Sequence, residues 1–253
     1  MPPITLHMVV ARRIAQELGH RDLLEQQGPF LIGSTSPDIR VLTRQDRFST
    51  HYFDLNEHGH QDSVAAFFAD HGRLAAPERL NPPTRAWASG YITHLVMDEQ
   101  YITGVYRRYF ADHERLGGKV RANVMDRLLQ FEFDREFGNE PEIKRALVEA
   151  LACTVAGIDV DGFVDHETLD RWRQVTVDVA NRGMDWERMR SMVSNHLRFT
   201  GTEDPHAVAE FLDSLPELLD ETIAHVTDAE VQGFVERSAA AAREAVERYL
   251  GCA

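Results

Sequence analysis

Cysteine is scarce in this chain, with two residues, Cys153 and Cys252, among 253. Two widely separated thiols exclude a disulfide framework and match the cysteine usage of a reducing compartment. Cys153 falls within an apolar helical pattern over 146–157 and reads as a buried structural thiol. Long apolar runs are missing too. None approaches the roughly 18 residues a membrane span needs, so no stable membrane insertion is expected. The stretch from Met1 to Val10 is apolar, but Arg12 and Arg13 follow it. With no positive segment before it and no small-residue cleavage site, no secretory signal is read, and the expected location is cytoplasmic. Basic charge is in short supply, with 27 Lys and Arg against 41 Asp and Glu and a net charge of −14. Arg12-Arg13, Arg107-Arg108 and the arginines at 40, 44 and 47 are the nearest approach to a basic cluster. Polymeric nucleic acid is therefore an unsuitable partner. A small, phosphorylated substrate held at a metal is not excluded, and the oligomeric state stays open. The sequence contains no His-Glu-x-x-His, Gly-x-Ser-x-Gly, Walker or Gly-x-Gly-x-x-Gly motif.

Strand-like alternation is absent as well, and helical periodicity dominates. Thr5 is expected to cap a helix that runs to about Leu18 and that Gly19 ends. Residues 27–61, with Gly28-Pro29, Ser36-Pro37 and Gly59, read as loops and short helices suited to presenting ligands. Helices are expected over about 62–75, 84–111, 118–137 and 140–156, from Asp165 onward, and over 185–199. Two or three more fill 205–250, punctuated by Pro216 and Thr227-Asp228. The expected fold is an all-α multi-helix bundle with a metal site between helices and ligand-bearing loops near the N-terminus. One domain is expected over 1–253, with residues 1–137 as the metal-binding core. Residues 138–253 would complete the bundle and pocket, with Trp172, Trp186 and Met189 as core or lid.

The chemistry is concentrated in Ser36-Pro37-Asp38, His51 and His94-Leu95-Val96-Met97-Asp98. Two carboxylates and two imidazoles form a ligand set that a borderline divalent metal accepts. His94 and Asp98 share one helix face. Spacing alone decides little. With 12 His and 41 acids, chance places an acid four residues after a His about twice, and the chain shows four cases. His58/Asp62, His166/Asp170 and His206/Glu210 lie in charged or turn-like surroundings and read as solvated faces. His94/Asp98 lies in a helix apolar nearly all round, where an unpaired carboxylate is costly. A salt bridge or helix-face hydrogen bond is the competing account of that pair.

The ordered set His7, Gly33, Ser36-Pro37-Asp38, His51 and His94-xxx-Asp98 resembles the bacterial zinc-dependent phospholipase C family over roughly residues 4–135. That family shares its fold with single-strand-specific zinc nucleases, is all-α and holds up to three zinc ions between helices. The resemblance implies Asp38, His51, His94 and Asp98 on one ion, with His7 and Asp98 on a neighbour. Two departures stand out. The family has a further His soon after the His-xxx-Asp pair, whereas here none follows until His113. Its His-xxx-Glu pair on the next helix is replaced by Asp126 and Gln130, with Glu132 at another register. The N-terminal Trp that binds metal in secreted members has no counterpart. Asp126 is retained as an oxygen ligand candidate, and hard ligands there would favour magnesium, manganese or iron.

The resulting expectation is a metal-dependent hydrolase of a phosphate ester that uses a metal-activated water. The cofactor is a divalent metal, zinc first, with iron or manganese as alternatives and one to three ions in all. Asp98 or Glu99 would orient the nucleophile or take its proton, and Arg40 would hold a substrate anion. The alternatives are a non-hydrolytic metalloenzyme on the same scaffold, either an iron oxygenase or a Lewis-acid lyase or cyclase, and a non-catalytic metal-binding domain.

Overall fold

A computed structural model describes residues 2–160, 162–183, 185–200 and 204–252. Among these residues it contains fourteen α-helices and no strand. Helix α1 spans Ile4–Leu18 and stops at Gly19, whose φ of 60° lets its N–H reach back to Ala15 O at 3.1 Å. Four short helices follow: α2 (Arg21–Glu25), α3 (Gln27–Gly33), α4 (Arg40–Thr43) and α5 (Phe48–His51). A 3-10 turn, Ser36–Ile39, lies between α3 and α4. Helix α6 (Ser63–Asp70) starts where Asp62 accepts from the Ala65 N–H at 2.8 Å.

Helix α7 (Pro82–Tyr101) is the axis of the molecule. Asn81 caps it by accepting from the Thr84 N–H at 2.9 Å, and proline at the first helical position needs no donor there. Trp87, Tyr91, Ile92, Leu95, Met97 and Tyr101 are all buried. Each contributes roughly 1.5–3 kcal/mol through removal from water. Polar residues Ser89, Thr93, His94 and Asp98 are buried on the same helix. A helix apolar almost all round must be enclosed, and α7 packs mainly against α3 on one side and α14 on another.

Beyond Tyr101 the helix continues as a π-wound segment, Ile102–Phe110. Helix α8 (Lys119–Phe133) ends in a second one, Asp134–Gly138. The periodicity foresaw helix in both places but not the change of winding. The remaining helices are α9 (Pro141–Leu151), α10 (His166–Arg182), α11 (Trp186–Phe199), α12 (Pro205–Asp213), α13 (Leu215–Val226) and α14 (Asp228–Leu250). Trp172 and Met189 are fully buried, whereas Trp186 is partly exposed against Phe131. No helix among the described residues is long and apolar enough to cross a membrane.

The crossing of α3 and α7 is the tightest contact of the core. A Cβ on Gly90 would lie 2.1 Å from Phe30 O and 2.7 Å from Ser34 N. Both neighbours are backbone atoms and cannot swing aside. Gly90→Ala is therefore expected to destabilise the fold by about 3 kcal/mol, the upper range for overpacking. Chemical denaturation of the two proteins measures this directly, and a loss below 1 kcal/mol would mean that the helices separate easily.

One buried carboxylate is uncompensated. Burial pushes Asp134 up to about 7, and a hydrogen bond from Thr5 with the charges of Arg188 and Lys144 pulls it back only in part. A folded-state value above the unfolded one means that the native protein holds a proton the unfolded chain has released. Stability is thus lost as pH rises from about 4 to about 7. Asp134→Asn is expected to gain on the order of 2–4 kcal/mol over the parent at pH 8 and little at pH 4. Thermal melts at the two pH values provide the comparison.

Candidate metal centre

The first ligand candidate, Asp38, sits on the 3-10 turn after α3, and buried hydroxyls hold that turn in place. Ser36 Oγ donates to Ile32 O at 2.8 Å and accepts from the Trp87 indole N–H at 2.9 Å. Thr35 Oγ1 donates to Ile32 O at 3.0 Å and accepts from the Trp172 indole N–H at 3.1 Å. The two indoles reach the turn from α7 and α10, on opposite halves of the sequence. Small hydroxyl residues suit a turn on which large aromatic side chains converge.

His51 is the last residue of α5, and Tyr52 ends that helix in the left-handed region at φ 54°. Thr50 is fixed from both sides. Its carbonyl accepts from the Tyr91 hydroxyl at 2.5 Å, and its own hydroxyl donates to Arg47 O at 3.2 Å. With its hydrogen committed, Thr50 Oγ1 accepts from His51 Nδ1, 2.9 Å away. His94 Nδ1 lies 2.9 Å from Ser34 O, and a carbonyl can only accept. Both imidazoles therefore carry their proton on Nδ1 and turn a bare Nε2 inward. A hydrogen bond at the outer nitrogen is the usual way a metal-binding histidine is oriented.

These lone pairs converge. His51 Nε2 lies 3.4 Å from Asp38 Oδ1 and 3.5 Å from Asp98 Oδ2, and His94 Nε2 lies 3.9 Å from Asp98 Oδ2. On the other side of the carboxylate, His7 Nε2 is 3.5 Å from Asp98 Oδ1. The His7 ring stacks on His94 with centroids 3.9 Å apart and an interplanar angle of 11°. Ligand atoms of Asp38, His51 and His94 form one group within 4.8 Å of one another, and those of His7, His94 and Asp98 form a second. His7, His51, His94 and Asp98 are all at least 98% buried. His7 Nδ1 and Nε2, His51 Nε2, His94 Nε2 and Asp98 Oδ1 are buried and find no hydrogen-bond partner among the described residues. Leaving a polar atom so costs about 1–3 kcal/mol, and five in one cluster call for a ligand. A divalent cation fits that donor set.

The charge state suits the same conclusion. Burial, reinforced by neighbouring His7, lowers His94 to about 3, so the imidazole is neutral and able to donate its lone pair. Burial works to raise Asp98, but the charge that the surrounding imidazoles, His94 first, take up when protonated outweighs it, and the carboxyl stays well below the usual range. Asp38 follows the same pattern: burial raises it, while the attraction of His51 and His94, once those rings are protonated, more than compensates. Because His94 is neutral, the permanent positive charge facing Asp98 comes from Arg47, whose Nη2 lies 2.9 Å from Asp98 Oδ2.

Other candidates lie elsewhere. Glu99, next along α7, does not join the cluster: its Oε2 accepts from Ser63 Oγ at 2.8 Å and from Ser63 N at 3.4 Å, tying α7 to the start of α6. Asp126 does not join it either. Its Oδ1 accepts from the Tyr101 hydroxyl at 2.5 Å and its Oδ2 from Gln130 at 2.8 Å. Glu132 pairs with Arg135. Arg40 is partly buried, with its Nε lacking a partner. The role of Arg47 was missed, since no spacing rule marks an arginine that reaches a carboxylate 51 residues away. The segment carrying Asp38, Arg47 and His51 also exposes three large apolar side chains, Val41 at 58%, Phe48 at 54% and Leu55 at 49%.

Comparison with known proteins agrees with this geometry. Residues 6–100 match the family model described as zinc dependent phospholipase C, a stretch containing His7, Asp38, His51, His94 and Asp98. No curated protein and no solved structure gives a match.

Substitution separates ligand from bystander. His94→Ala and Asp98→Ala are each expected to abolish tight zinc binding, since each removes a convergent donor. His166→Ala is expected to leave it unchanged. His166 also has an acid four residues later, but its Nε2 is bonded to Ile158 O at 2.8 Å and Asp170 is paired with Arg173. Metal content after gel filtration in excess zinc distinguishes the two classes.

Proposed function

We propose that this chain, whose residues 6–100 match the zinc dependent phospholipase C family model, is a metal-dependent phosphoesterase. The observation that carries this is the set of inward-facing, unpartnered Nε2 atoms of His51, His94 and His7 around the Asp98 carboxylate. Asp38, His51, His94 and Asp98 Oδ2 would hold the principal ion, and His7 with Asp98 Oδ1 a weaker neighbour. Such an ion contributes Lewis-acid polarisation of a phosphoryl oxygen and a lowered pKa for a water it binds. Zinc suits imidazole and carboxylate donors and is the metal of the family.

The chain's own residues supply orientation and charge. Ser34 and Thr50 keep His94 and His51 in the tautomer that leaves Nε2 free. Asp98, ionised under all ordinary conditions, balances positive charge from both sides of the cluster. Asp38, the more exposed of the two carboxylates at 16% side-chain exposure against 3% for Asp98, would take a proton from an attacking water. Glu99 has no part in this, because its carboxylate is committed to Ser63. Val41, Phe48 and Leu55 around the same segment favour a small phosphate ester with an apolar substituent.

A second reading rests on the same donors. Asp38, His51 and His94 are a two-histidine, one-carboxylate set, which also suits iron with open positions. Metal identity separates the two. Elemental analysis of the purified protein is expected to find zinc. A chelator should abolish turnover of a chromogenic phosphodiester, zinc should restore it, and a long alkyl substituent should be preferred to a short one. Iron with dioxygen-dependent turnover would favour the second reading, and a protein that takes up neither metal would overturn both.

A further inference from the structure

The residue least explained by a metal site is Arg47. Its guanidinium sits on Asp98 Oδ2 at 2.9 Å, the same oxygen that faces His51 Nε2 at 3.5 Å and His94 Nε2 at 3.9 Å. The other oxygen, Oδ1, faces His7. Arg47 thus engages the carboxylate oxygen of the principal ion site, not an outer one. A guanidinium does not release its proton, so its conflict with a divalent cation cannot be relieved by deprotonation. Either the two cations share the lone pairs of Oδ2 or the side chain moves, and the effect of removing the guanidinium on zinc affinity tells these apart.

We propose that Arg47 is a displaceable internal cation. It neutralises Asp98 in the metal-free protein, withdraws from Oδ2 when a divalent ion is taken up, and then presents its guanidinium to the anionic group of the substrate. The proposal rests on the metal reading above.

Three observations support it. First, Asp98 is a carboxylate only 2% exposed, and without an ion it needs a counter-charge to remain buried and ionised. Second, the Arg47 backbone is fixed while its side chain lies near solvent. Its carbonyl accepts from Thr50 N at 3.1 Å and His51 N at 2.9 Å, and the side chain is 14% exposed. Departure from Asp98 is therefore a pivot about a fixed Cα. Third, one end of the fork already points away from the carboxylate, with Nη1 donating to Phe53 O at 3.1 Å. A planar fork with several donors matches a phosphoryl group better than it matches one carboxylate oxygen.

Such a residue has effects of opposite sign. It competes with the metal and assists the anion, whereas a merely structural residue would do neither or weaken both. Zinc affinity is measured by competition with a chromophoric chelator, and inorganic phosphate binding to the zinc-loaded protein by calorimetry. If the withdrawn state is about a tenth populated in the metal-free protein, Arg47→Gln binds zinc about tenfold tighter. The same variant is expected to bind phosphate at least about tenfold more weakly. Its metal-free form should melt lower than the parent and recover when zinc is added. Unchanged or weaker zinc affinity in a folded Arg47→Gln protein overturns the proposal. Should that variant not fold, Arg47→Lys decides. It keeps the charge and loses the fork, so zinc affinity should stay near that of the parent while phosphate affinity falls. Undiminished phosphate affinity overturns the proposal. A parent protein that takes up no zinc in the same titration overturns the metal reading itself, a different result from a parent that binds zinc and a variant that behaves identically.

Discussion

Where α3 crosses α7, no side chain separates the two backbones, since a Cβ on Gly33 would lie 2.0 Å from the Trp87 carbonyl oxygen. That proximity governs the centre of the molecule. It sets the end of α3 against the buried flank of α7, so that the Ser34 carbonyl meets His94 Nδ1 and Ser36 meets the Trp87 indole. One helix thereby supplies an imidazole and the other the carbonyl that fixes its tautomer. Larger residues at the crossing would move the two helices apart and break both contacts together.

The cluster built on that crossing is expensive in the absence of a ligand. Three imidazoles and a carboxylate are buried together, and most of the atoms that face one another carry lone pairs and no hydrogen. A core selected for stability alone would place apolar groups there. Stability is held elsewhere, in the aromatic packing of Tyr91 between Phe67 and Phe163 and of Tyr101 between Phe133 and Phe234. Beside His51, Tyr52 is held in left-handed backbone, as Arg44 and Thr227 are elsewhere.

Much of this was readable in advance, for identifiable reasons. The helices announced themselves through periodicity, although Thr5, expected as a cap, lies inside α1 behind Pro3, and His94 with Asp98 stood out as an acid in an otherwise apolar helix. Asp38, His51 and His7 lie far apart in sequence, and order and residue type within a family pattern linked them, not spacing. Glu99 marks where periodicity stops being informative. It adjoins Asp98 on a helix enclosed on nearly every side, so periodicity could not say which acid faces the cluster. Packing of α6 decided it, by offering Ser63 to Glu99. Asp126 failed differently: its spacing matched, but Tyr101 and Gln130 supply partners that local sequence does not reveal. The π-wound segments were invisible because they preserve helical composition while changing its period.

The Trp172 indole N–H, bonded to Thr35 in the turn that bears Asp38, ties two stretches 137 residues apart. The stretch by which kinship is recognised ends at residue 100, well before that indole and before α14, which lies along α7. His7, Asp38, His51, His94 and Asp98 all lie within the matched segment, while Trp172 and α14, which brace it, lie outside. Drift in α10 or α14 can retune the centre without touching a single donor.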